Sequence, residues 1–132
     1  MICLDTNYLI MALVANSHEA RRLLHLAGQG ETFCVSAIVW YEFLCGPITD
    51  EQENAIKLML KEIVPFDNTV AESAAILFNQ IGRKRKLRVD TMIAATAISK
   101  NIPFATSNTE DFLHFEPFEL MLINNKHSLW HS

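Results

Sequence analysis

The chain has 132 residues, half of them hydrophobic, with three cysteines and a formal net charge of −4, which is apolar mass enough for the core of one domain. An acidic balance excludes a protein that coats nucleic acid by bulk electrostatics, although a local basic patch can still grip phosphates. Cys3, Cys34 and Cys45 lie in apolar segments without paired spacing, no basic region leads into a long apolar stretch at the N-terminus, and no apolar run reaches the roughly 18 to 20 residues of a membrane span; the expectation is a cytoplasmic protein in a reducing compartment.

Met1-Ile2-Cys3-Leu4 is an apolar run that ends abruptly in Asp5, the pattern of a buried parallel strand with a carboxylate at its carboxyl end. Thr6 or Asn7 caps a helix to about residue 15, and Asn16-x-x-Glu19 resembles a capping box for a second helix that ends near Gly28 and Gly30. Residues 32–35 form a second strand, and Ser36 caps a helix over 37–45 that Gly46-Pro47 terminates. Thr49-x-x-Gln52 opens a helix to about residue 63, residues 64–66 form a short strand, and Thr69-x-x-Glu72 opens a long helix to about residue 86. Asp90 caps an alanine-rich helix, residues 103–106 make a fourth strand, 108–112 a loop or short helical turn, and 118–123 a last strand; the tail from 124 is loosely held. Strands alternating with helices predict an α/β fold in a single domain over 1–132, with a central, mostly parallel sheet of about five strands covered on both faces.

In such sheets ligands sit beyond the carboxyl ends of the strands, which is where Asp5 falls. A turn or cap would also explain Asp5. Glu42 stands among Ile38, Val39, Trp40, Tyr41, Phe43, Leu44 and Cys45, and an all-round apolar helix is buried; a lone carboxylate there must meet a cation. Asp90 caps its helix, and Asp111 in the segment after the fourth strand is a fourth acid on the same edge, with Glu110 turned elsewhere. Three or four carboxylates at one edge repel and raise one another's pKa unless a divalent cation neutralises them. Oxygen ligands without a His or Cys pair suit Mg²⁺ or Mn²⁺ rather than zinc, and such ions bind phosphates. Arg83, Lys84, Arg85, Lys86 and Arg88 are five of the eleven basic residues; a solvated helix C-terminus accounts for them as well as a phosphate track does.

Leu4-Asp5-Thr6-Asn7, Glu42 in a Ser36-initiated apolar helix, Val89-Asp90-Thr91-Met92-Ile93-Ala94-Ala95-Thr96-Ala97, and Thr106-Ser107-Asn108 with Asp111-Phe112 together resemble the PIN-domain ribonucleases of the VapC toxin type. Each motif is common, but the four in this order cover almost the whole chain. The resemblance implies a three-layer α/β fold, an Mg²⁺- or Mn²⁺-dependent endoribonuclease acting on RNA, a homodimer, and inhibition by a cognate antitoxin protein. It makes Asp5 and Asp90 the principal metal ligands, Glu42 a third acidic member holding metal or water, and Asp111 the fourth. Asn108 stands where some relatives carry an aspartate, and Thr6 and Thr106 orient ligands or waters through hydrogen bonds.

Three other readings differ in what they require. A phosphotransferase of the haloacid-dehalogenase type wants a second aspartate two residues after the first, where this chain has Asn7. A binding module with a vestigial acidic pocket would not keep Asp5, Glu42 and Asp90 together. A housekeeping RNA-processing nuclease would use the same acids without an antitoxin.

Overall fold

The structure is a computed structural model that describes residues 1–123; the expected loose tail from 124 lies outside them. Five strands, β1 (Ile2–Leu4), β2 (Phe33–Ser36), β3 (Leu60–Val64), β4 (Phe104–Ala105) and β5 (Leu122–Ile123), form one sheet in the order β3-β2-β1-β4-β5 with every pairing parallel. Consecutive residues of a strand face opposite sides of its sheet. Every residue of β1 and β2 is buried, so both faces are covered. The cover is α1 (Thr6–Ala12), α2 (His18–Gly28), α3 (Ala37–Leu44), α4 (Asp50–Met59), α5 (Asn68–Gln80), α6 (Arg88–Lys100) and the short α7 (Thr109–Phe112). The α1 helix packs on α2 and α3, and α6 packs on α5, α3 and β2. This is the α/β architecture expected from the alternating pattern.

The chain moves outward from β1 through β2 to β3 and then crosses to β4 on the other side of β1. At such a reversal the two neighbouring connections leave in opposite directions and open a crevice beyond the carboxyl ends of the strands. Asp5 follows β1 and Thr106 follows β4, so the crevice opens between them.

Several boundaries differ from those the sequence predicts. Asn16 does not cap α2; it takes a left-handed turn at φ 64, which asparagine tolerates, and Ser17 caps instead, accepting from the Ala20 N–H at 3.0 Å and donating to the Met11 carbonyl at 2.6 Å. The helix opened by Thr49 ends at Met59 rather than 63, because residues 60–64 pair along the whole of β2. Asp67 rather than Thr69 caps α5, which stops at Gln80, six residues short of the predicted end. Gly82 and Arg83, at φ 87 and 58, turn the chain out of helical geometry. The last strand is cut to Leu122–Ile123 by a 3-10 turn over Leu113–Phe118 that contains Pro117.

Asp90 is not a cap. A 3-10 turn, Arg85–Leu87, runs directly into α6, Leu87 occupies the cap position without a side-chain bond, and Asp90 sits in the first helical turn. Nor is α3 buried all round. Val39 and Phe43 face the core, Tyr41 is 68% exposed, and Glu42 itself is exposed. Glu42 therefore has no desolvation penalty to offset, and the argument that burial demands a cation does not hold for it.

Candidate active site

The carboxyl edge of the sheet is organised by hydrogen bonds that run from one carboxylate to the next. Asp5 is 7% exposed. Its Oδ1 accepts from the Thr6 N–H at 2.8 Å and its Oδ2 from the Thr106 hydroxyl at 2.7 Å. Thr6 donates its own hydroxyl to Glu42 Oε1 at 2.7 Å, fixing α3 to α1. On the other side Thr106 Oγ1 accepts from the Asn108 N–H at 2.9 Å, and the Asn108 amide donates to Asp111 Oδ2 at 3.0 Å. One continuous path thus links Glu42, Thr6, Asp5, Thr106, Asn108 and Asp111, joining residues that are up to 106 positions apart.

Packing holds the ends of that path. Ser36 caps α3 by accepting from the Val39 N–H at 3.0 Å, and Trp40 stacks on Phe43 with centroids 5.6 Å apart. The four-residue α7 could not stand alone. Phe112, fully buried, packs on Phe104 of β4 at 4.7 Å and on Phe115 at 5.8 Å, so the aromatic cluster positions Asp111.

Asp90 belongs to the same electrostatic group without joining the path; among the described residues its carboxylate accepts no hydrogen bond. Partial burial, then the charges of Asp5, Asp111 and Glu42, push its pKa up from 3.8 to about 6. Burial also raises the Asp5 pKa, opposed by the bonds from Thr106 and Thr6 and reinforced by the charge of Glu42. The four acids predicted from sequence are thus brought within one another's field, and among the described residues none is ion-paired.

Among the described residues no three acidic, histidine or cysteine side chains stand close enough to enclose an ion by themselves. That suits a hard cation held by one or two carboxylates and completed by waters and substrate phosphates, the manner in which Mg²⁺ is bound. The donor atoms are all oxygens, and each Asp5 oxygen uses one lone-pair direction, leaving others for an ion.

The basic residues lie to one side. Arg83, Lys84, Arg85, Lys86 and Arg88 are all exposed, and they join α5 to α6 rather than ending a helix. At the start of α6 the macrodipole is positive, so Arg85, Lys86 and Arg88 oppose it instead of complementing it. The helix-terminus explanation therefore fails in sign for these three, while Arg83, whose N–H donates to the Phe78 carbonyl at 2.9 Å, closes the end of α5. One contact had no signal in the sequence: Ser107 donates to Glu19 Oε2 at 2.6 Å, tying the start of α2 to the loop that carries Asn108.

The PIN domain family model matches residues 2–116. A relative, the ribonuclease VapC1 of Methanocaldococcus jannaschii, is 33% identical over 129 residues, covering 92% of this chain and 85% of its own. The fold is shared with VapBC2 from Rickettsia felis, solved bound to a DNA fragment from their promoter, at a TM-score of 0.71 and 23% identity over 94% of this chain and 98% of that one. It is shared also with VapBC-1 from nontypeable Haemophilus influenzae, at a TM-score of 0.70 and 20% identity over the whole of both chains.

Proposed function

The chain belongs to the PIN domain family, and on that premise we propose that it is a metal-dependent endoribonuclease, the toxin of a toxin–antitoxin pair, with Asp5, Glu42, Asp90 and Asp111 as its catalytic acids. The observation that carries this reading is the group of four mutually repelling carboxylates at the strand-order reversal, which no cation among the described residues neutralises. The names of the relatives, a ribonuclease and members of VapBC pairs, agree with it.

Mg²⁺ or Mn²⁺ would be held by Asp5 and Asp90, with Glu42 reached through water as the third acid, and when bound it would supply Lewis acidity to a phosphate and lower the pKa of water. The residues of the chain prepare that chemistry. Thr106 and the Thr6 N–H favour the charged form of Asp5, which burial opposes. Asp90, its pKa raised to about 6 by partial burial and the neighbouring acids, accepts no hydrogen bond from the described residues and is free to turn toward an ion. Thr6 holds Oε1 of Glu42, and Asn108 holds one oxygen of Asp111 while leaving Oδ1 to accept a proton from water. Asn108 itself brings an amide and no charge, so it orients rather than binds metal. The exposed run 83–88 would track the RNA backbone, since it presents cations where a helix start already favours anions.

The partners follow from exposed apolar surface. Tyr41 at 68%, Leu58 at 89% and Leu24 at 75% exposure are large side chains that an antitoxin helix or a second copy of the chain would cover. A cationic side chain of the antitoxin entering the cleft would neutralise the acids in place of metal. Among the described residues no helix is long and apolar enough to cross a membrane.

Purified protein should cut cellular RNA at mapped ends, and Asp90→Asn should lose that activity by orders of magnitude while keeping its fold. Expression should arrest growth, with relief only on co-expression of the antitoxin from the adjacent reading frame. Specific cutting of a precursor RNA without growth arrest would assign a housekeeping nuclease instead, and metal binding without cleavage would leave a binding module.

A further inference from the structure

A cavity of about 380 Å³ opens between α5 and α6 and is lined by Phe66, Ala75, Phe78, Arg83, Arg88 and Met92 among others. None of its lining residues is acidic. Two aromatic rings and a thioether make an apolar slot, and two guanidinium groups stand at it, one of them with its carbon 5.3 Å from the centroid of the Phe78 ring. Lys84, Arg85 and Lys86, all exposed, lie between Arg83 and Arg88 in the chain. The cavity's wall on α6 includes Thr91 and Met92, which directly follow Asp90. Asp90 is turned to the other side of α6 from Arg88 and Met92, so the slot lies across that helix from it, one helix diameter of about 10 to 12 Å away.

A ligand that satisfies this lining must be flat and apolar on its face, and anionic at its edge. A nucleotide has both features: bases stack on aromatic rings and guanidinium planes, and phosphates pair with Arg in fixed fork geometry. The volume lies within the range of small-ligand sites. We propose that this cavity is a nucleobase-binding subsite that holds a nucleotide of single-stranded RNA near the scissile bond, with its base beside Met92 and stacked on the Arg88 guanidinium that Phe78 supports, and its phosphate against Arg83. The proposal rests on the endoribonuclease reading and adds to it a source of cut-site preference, since the face and width of the slot would sort purines from pyrimidines.

Two experiments test it with the full chain and Mn²⁺. Irradiation of Asp90→Asn bound to a single-stranded RNA containing 4-thiouridine should cross-link Met92. In cleavage assays on the same RNA without the label, Phe78→Ala should raise KM about tenfold and redistribute the cuts, as expected when one base no longer stacks. Ala75→Leu, an exposed position whose larger side chain fills the slot, should do the same without touching the core. If wild-type protein cleaves while both variants keep its KM and cut sites, the subsite is wrong and the nuclease reading stands. Loss of self-association or of antitoxin binding in these variants, with RNA kinetics intact, would make the cavity a protein interface and overturn the proposal. If wild-type protein neither cleaves nor cross-links RNA, the nuclease reading fails and the subsite with it.

Discussion

Asp5 and Asp90 carry the same charge into the same crevice and yet answer differently to substitution. Both oxygens of Asp5 accept hydrogen bonds, so Asp5→Asn must turn an NH₂ toward a donor and should destabilise the fold as well as the site. Asp90 accepts none among the described residues, and its removal relieves repulsion. An acid whose folded pKa is raised holds a proton that the unfolded chain has released, so its contribution to stability is present in acid and is lost as pH rises from 3.8 through about 6. Metal-free Asp90→Asn should therefore melt above wild type at pH 7, with the gap narrowing as pH falls through about 6 and closing only near 3.8 and below; calorimetry that finds the same gap at pH 7 and near 3.8 would remove Asp90 from the charged group. Thr106→Val takes away a bond that lowers the Asp5 pKa. It should move the acid limb of the activity profile upward and weaken Mn²⁺ binding, with Thr106→Ser restoring both.

At the scale of elements, the strands and most helices were legible because apolar runs and Ser or Thr caps are local signals. Ser36 and Thr49 cap where the sequence places them. The failures have physical causes outside the local pattern. Residues 60–63 read as helix until β2 pairs with them, and α5 stops early because Gly82 and Arg83 adopt positive φ. That last difference changes the meaning of Arg85, Lys86 and Arg88, from a favourable helix end to cations set against the dipole of α6. Glutamine at Arg85 and Lys86 should raise KM for RNA and reduce the salt slope of binding by about 0.7 for each phosphate no longer neutralised, leaving metal affinity unchanged. An unaltered slope in filter-binding titrations would place the run away from the RNA path.

For the molecule as a whole, acids converge on one edge from β1, α3, α6 and α7, while five cations gather between α5 and α6. The sequence named these acids through the order and spacing of four motifs. It could not show the path from Glu42 to Asp111 through Thr6, Asp5, Thr106 and Asn108, since hydrogen bonds between distant segments exist only after the sheet has formed. Tyr41 and Leu58 are exposed, and α3, apolar on almost every side in sequence, leaves one face uncovered in the fold.

The proposed reaction depends on a divalent cation completing the charge of those four acids at the moment RNA is cut. Its most direct test is the cleavage of a labelled RNA by purified protein as Mn²⁺ or Mg²⁺ is withdrawn with EDTA and then returned in excess. Cleavage should stop on chelation, resume on adding back either ion, and stay absent in Asp90→Asn throughout. Undiminished cleavage in excess EDTA would contradict a metal-dependent mechanism.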